Sequence, residues 1–142
     1  MVFFDYLLRV IRAFCIYYYE FIKTSDYRLN HIIGERRIRF PTEYCETPSD
    51  ILCEKVKAAI GKALRISERD YKYIVPMYNL KMHKIQYLMP LYLNKSIEDS
   101  PELVIVVGES NGFYIVYTIL TTDDAYDNAR LLCRPDSTWL KL

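Results

Sequence analysis

Histidine and paired cysteine are the scarcest chemistry in this chain. Only two histidines, His31 and His83, occur in 142 residues. They are too few and too scattered for a recognisable zinc motif, which draws on several nitrogen and sulfur ligands at fixed spacings. The four cysteines, Cys15, Cys45, Cys53 and Cys133, contain no C-x2-C pair. Free thiols, most of them buried, in a cytoplasmic and reducing setting are therefore expected. Surplus charge is also missing. Nineteen Lys and Arg against eighteen Asp and Glu leave a net charge of +1, which excludes a generally basic nucleic-acid binder while leaving room for a local basic groove. The apolar opening is interrupted by Asp5, Arg9 and Arg12, so it reads neither as a secretory signal nor as a membrane span. Gly61-Lys62-Ala63-Leu64 lacks the upstream glycine and the following Ser or Thr of a phosphate loop. No internal repeat or low-complexity segment interrupts the chain.

What is present is a globular composition, 51% hydrophobic and 26% charged, with fourteen tyrosines. Amphipathic rings of this kind serve core rims and interfaces, and they also offer platforms on which unstacked bases lie. Residues 2–23 read as a long helix. Asp5, Arg9, Arg12 and Glu20 form a narrow polar wedge, and apolar side chains occupy most of the remaining circumference. A helix on the outside of a monomer needs only one apolar stripe, so this one predicts an interface: a homodimer, or a subunit held by a protein partner. Residues 24–47 are the least regular, with Ser25, Asp26, Asn30 and Gly34 as turn formers. They carry the densest basic cluster: Arg36, Arg37 and Arg39, with Arg28 and His31 nearby. A short strand over 35–40, ending at Pro41, fits the weak alternation there.

Thr47-Pro48-Ser49-Asp50 predicts a helix start, with Thr47 as cap, Pro48 first and Asp50 reaching back. Leu52, Val56, Ala59, Ile60 and Ala63 line its buried face to about residue 64. Strands follow at 71–78, 85–93, 103–107 and 113–120. Asn111-Gly112 marks the hairpin between the last two, and Pro76 and Pro90 belong at edges or bends. Tyr71, Tyr73, Val75 and Met77 share one side of the first strand, and Tyr87 and Met89 would extend that surface. A short helix over 122–132, capped by Thr122 or Asp123, buries Ala125 and Ala129 with Tyr126 flanking them. Arg134-Pro135 ends it, and Trp139 locks the tail onto the core. The sum is one domain over 1–142: an interface helix at 1–23, an irregular basic segment at 24–47 and an α+β core at 48–142. Its fold class is a two-layer α+β domain. It has a four-stranded, mainly antiparallel sheet, a long N-terminal helix, a middle helix and a short C-terminal helix.

The run from Thr118 to Leu140, with Tyr71-Lys72-Tyr73-Ile74-Val75-Pro76-Met77-Tyr78, Lys84-Ile85-Gln86-Tyr87-Leu88-Met89-Pro90-Leu91 and Leu103 to Val107, resembles a bacterial family of domains of unknown function. Some of its members also carry an OST-HTH (LOTUS) RNA-binding domain. The resemblance covers roughly residues 71–142. It implies an association with RNA and brings no established reaction, catalytic residue or cofactor.

The residues themselves hold no complete nucleophile, acid–base or metal set. Asp123 and Asp127 share a helical face, and Arg130 lies one turn beyond Asp127. An ion pair that supports the helix competes there with a magnesium site for a phosphoesterase, while Cys133 lacks a histidine partner. The arginine cluster is either a solvated, charge-protected edge or a phosphate contact, since guanidinium forks match phosphate oxygens. The leading expectation is a non-catalytic nucleotide- or RNA-linked binding module without a cofactor. It would contact phosphate through Arg36, Arg37 and Arg39, joined by Lys72 and Arg130. An oligomeric scaffold acting through the first helix is the alternative.

Overall fold

The computed structural model describes residues 26–132 and 139–140. The helix expected over 2–23, the interface built on it, Cys15 and Cys133 lie outside the described residues. The chain forms the expected α+β domain around a four-stranded antiparallel sheet. Its strands are β1 (Val75–Asn79), β2 (Lys84–Leu91), β3 (Leu103–Ser110) and β4 (Phe113–Leu120), in the order β1-β2-β3-β4. The meander follows from short connections. Asn111 and Gly112 both take positive φ, 52° and 81°, as the two-residue hairpin turn between right-twisted strands requires. Pro76 lies in the edge strand β1. Pro90 lies beyond the Val75–Leu88 pair where β1 ends, so β2 has one strand neighbour there. Both prolines therefore sit where a missing ladder donor costs least.

The main helical layer consists of α1 (Asp26–Glu35) and α2 (Ser49–Arg69). α1 falls in the segment expected to be irregular. Its stripe of Leu29, Ile32 and Ile33 is buried against the sheet, and this packing outweighs the turn-forming tendency of Asn30 and Gly34. The strand expected over 35–40 does not form. The chain instead makes two 3-10 turns, Arg37–Arg39 and Thr42–Tyr44. Phe40 and Tyr44 anchor them in the core, edge to face with ring centroids 6.5 Å apart, while Ile38 is 94% exposed. α2 starts one residue later than its sequence signal. Pro48 is the cap residue, no side chain caps the end, and the Thr47 carbonyl is taken by Arg37. The helix runs past residue 64 to Arg69, and in this extension the buried Ser67 hydroxyl donates to the Leu64 carbonyl at 2.8 Å. Facing this layer, the sheet contributes Tyr87, Met89, Leu91, Leu103, Ile105, Val107, Val116 and Ile119.

The opposite sheet face carries a smaller core under α3 (Thr122–Arg130), built from Val75, Met77, Leu88, Val104, Val106 and Leu120 with Ala125, Ala129, Trp139 and Leu140. Tyr87 and Met89 therefore do not extend the Val75–Met77 surface. The register pairs Val75 with Leu88 and Met77 with Gln86, and neighbouring residues along a strand point to opposite faces. Residues 71–73 form a 3-10 turn rather than the start of β1. α3 is capped one residue earlier than expected. Thr121 Oγ1 accepts the Asp124 N–H at 3.2 Å, as a side-chain N-cap does, and donates to the Asp124 carboxylate at 2.9 Å. No helix among the described residues is long and apolar enough to cross a membrane.

Candidate functional site

β4 is an edge strand, and an unprotected edge presents a row of backbone groups to any passing chain. Three arginines cover this one. Arg28 Nε donates to the Val116 carbonyl at 3.0 Å, Arg36 Nε to Thr118 Oγ1 at 3.3 Å, and Arg39 Nη1 to the Ile119 carbonyl. α1 and the turn after it thus lay a row of guanidiniums along the strand. Arg37 turns elsewhere. Its Nη2 gathers the carbonyls of Tyr44, Cys45 and Thr47 and so ties the second 3-10 turn to the first. Arg36, Arg37 and Arg39 are all partly exposed. Among the described residues none of the three makes an ion pair. Their carbonyl and hydroxyl partners hold the side chains without neutralising them.

Beside this row, on the α3 side of the sheet, lies a cleft of about 330 Å³. A β-bulge creates its wall. β3 and β4 pair Val106 with Thr118 but Val107 with Val116, so Tyr117 is an extra residue. The bulge re-aims the strand, and the consecutive residues Tyr117 and Thr118 both line the cleft. Tyr117 lies against Gly108, and its hydroxyl donates to the Glu109 carbonyl at 3.0 Å. The Arg28 guanidinium sits 5.7 Å from its ring centroid, within cation–π range. Thr118 carries the hydrogen bond from Arg36. The arginine row and the cleft therefore meet at two adjacent residues.

Three amide side chains, Asn79, Gln86 and Asn128, also line the cleft. Asn79 closes the β1–β2 turn with its Oδ1, which accepts from Lys81 N at 3.0 Å and Met82 N at 3.1 Å. Its Nδ2 then donates to Gln86 Oε1 at 3.1 Å. Asn128 Nδ2 donates to the Asp124 carbonyl at 2.9 Å. Leu80 and Leu131, both well exposed, complete an apolar rim.

The remaining expected site residues stand on other elements. Lys72 is exposed in the turn after α2. Arg130, at the end of α3, is turned to Asp127 at 3.6 Å, with both side chains well exposed, a pairing that contributes about 0–1 kcal/mol. Asp123 is exposed in the first turn of α3, where its charge favours the helix start. Among the described residues no three His, Cys, Asp or Glu side chains converge on a common point. Tyr126 packs at the margin of the smaller core, and Trp139 is buried there, donating from Nε1 to the Tyr73 carbonyl at 2.9 Å. Sequence reasoning did not single out Gln86, Asn79, Asn128 or Tyr117. Two of the signals were visible: Gln86 is the polar interruption in the apolar run from Ile85 to Leu91, and Gly108 ends the β-branched run of β3.

No curated protein and no solved structure matches the chain. The sequence profile of a domain family of unknown function, DUF3825, matches residues 9–139. That span takes in α1 with its arginines, the whole sheet and α3, and it reaches well ahead of the residues that carried the resemblance. The chain belongs to the DUF3825 family.

Proposed function

We propose that this domain is a non-catalytic module that binds single-stranded RNA by its phosphates, through the guanidiniums along β4. One observation carries the reading: Arg36 and Arg39 are fixed on the strand edge, partly exposed, with no carboxylate paired to them among the described residues. A guanidinium has five N–H donors in a rigid fork. One donor on the strand positions the group and leaves others for phosphate oxygens. Arg28 belongs to the same row, and Arg37 braces the turn that carries Arg39. Lys72 and Arg130 are outlying contributors that a longer strand would reach. The proposed setting is the cytoplasm, where a thiol such as the exposed Cys45 stays reduced.

Fluorescence titration of a short single-stranded RNA at two salt concentrations tests this. Binding should weaken with salt, with a log–log slope of about 0.7 per phosphate neutralised. The pair Arg36→Gln and Arg39→Gln should lower that slope by roughly 1.4, with folding checked by circular dichroism. Absent binding at low salt, or binding that ignores both substitutions in a folded protein, would overturn the proposal.

A further inference from the structure

The cleft beside the arginine row contains a hydrogen-bonding group whose orientation the fold dictates. Backbone N–H groups can only donate, so Asn79 must present its oxygen to Lys81 N and Met82 N. Its nitrogen then faces Gln86 and must donate, so Gln86 Oε1 must accept. This leaves Gln86 Nε2 as the inner donor. Its one partner among the described residues is the Met82 thioether, at 3.5 Å, and sulfur is a weak acceptor. Gln86 is only 2% exposed. A buried amide donor facing a thioether is poorly satisfied, and such groups in native proteins call for an explanation.

On the α3 wall the polarity is the reverse. Asn128 Nδ2 is held by the Asp124 carbonyl, which leaves Oδ1 as an acceptor. Tyr117 supplies aromatic surface in the same cleft. A fixed donor, an acceptor and an aromatic wall in about 330 Å³ match a small planar heterocycle, and this volume is at the low end of small-molecule sites, which run from about 300 to 1,000 Å³.

We infer that the cleft receives one unstacked nucleobase of the strand whose phosphates lie on the arginine row. Gln86 Nε2 donates to a ring nitrogen or carbonyl of the base, displacing the Met82 thioether, and Asn128 Oδ1 accepts from its amino or imino group. The inference rests on the phosphate reading for its strand and adds a base-reading element to it. Continuity through Tyr117 and Thr118 supports the joint site. Arg28 lies over the first and Arg36 bonds the second, so a nucleotide with its base in the cleft has its phosphate beside the guanidiniums. Proteins that recognise single strands combine these two parts, a basic track and base contacts.

The test compares four six-nucleotide homopolymeric RNAs with an abasic ribose-phosphate chain of the same length. The wild-type protein should bind at least one RNA about 3- to 10-fold more tightly than the abasic chain, the ratio expected for one or two neutral hydrogen bonds. Gln86→Leu should remove that preference and leave abasic binding unchanged. Because Gln86 is buried, Asn128→Ala, on a partly exposed helix position, provides a second variant with the same expected loss. Equal binding of all RNAs and the abasic chain would sink the base site and leave the phosphate reading standing. No binding of any chain would remove both. A preference that survives both substitutions in folded proteins would place the base elsewhere and refute the inference.

Discussion

Gly108→Ala isolates the packing that shapes the cleft wall. Gly112 is the described glycine with positive φ, so Gly108 has ordinary strand backbone and alanine meets no dihedral strain there. The obstacle is space. A Cβ at 108 would stand 2.8 Å from Tyr117 Cε2 and 3.1 Å from Gln86 Cγ, against the roughly 3.5–4.0 Å of a good carbon–carbon contact. Tyr117 must retreat by about 0.7 Å to reach the lower bound, yet its hydroxyl is tethered to the Glu109 carbonyl. Overpacking of this kind costs about 1–3 kcal/mol. Removing a glycine from the unfolded chain returns about 0.4–1 kcal/mol. The clash wins, and a net loss of about 1–2 kcal/mol is expected by urea unfolding, with m unchanged. A double-mutant cycle identifies the cause. In a Tyr117→Ala background only the 3.1 Å approach to Gln86 Cγ remains, so most of the penalty should disappear. A neutral Gly108→Ala, or an equal penalty in both backgrounds, would refute the reasoning.

Thr121→Ala removes the side-chain cap of α3 and should cost about 0.5–2 kcal/mol in thermal or urea unfolding; an unchanged midpoint would show that the cap contributes nothing. Tyr44 and Tyr92 are both pushed up from 10.0 to about 12, chiefly by burial, with Glu102 and Glu43 adding for Tyr44, and Tyr73, Glu102 and Asp99 for Tyr92. A folded pKa above the unfolded one means stability that is complete below pH 10 and lost as pH rises towards 12. Unfolding at stepped alkaline pH should show this fall, and it should be shallower in Tyr92→Phe. That variant also deletes a buried hydroxyl without a hydrogen-bond partner among the described residues, so it should be neutral or slightly stabilising near pH 8; a steeper alkaline fall would contradict the assignment.

The sheet was legible because its signals are local. The Asn111-Gly112 turn and the β-branched run of β3 both act over a few residues. α1 was hidden for the opposite reason. Three apolar residues interrupted by Asn30 and Gly34 make a poor isolated helix, and its stability comes from packing on β4 and α2. The placement of Tyr87 and Met89 turned on register, which pairing with β1 decides and β2 alone does not. The arginine cluster stood out in the sequence, but its anchors did not. Arg36 reaches Thr118 across 82 positions and Arg39 reaches Ile119 across 80. The cleft was the least legible part. It depends on one inserted residue in β4 and on a turn asparagine that dictates which way a glutamine on the next strand points.

The arginines on β4 have a kinetic and entropic consequence. A free arginine side chain samples many rotamers, worth about 2 kcal/mol of entropy, and a ligand that needs it must freeze that motion. Here the strand carbonyls and Thr118 have already restricted Arg28, Arg36 and Arg39 as part of folding. Under the proposed phosphate binding, an anion arriving at this edge would meet guanidiniums already held in place, so little further ordering would be required of the protein at the moment of encounter.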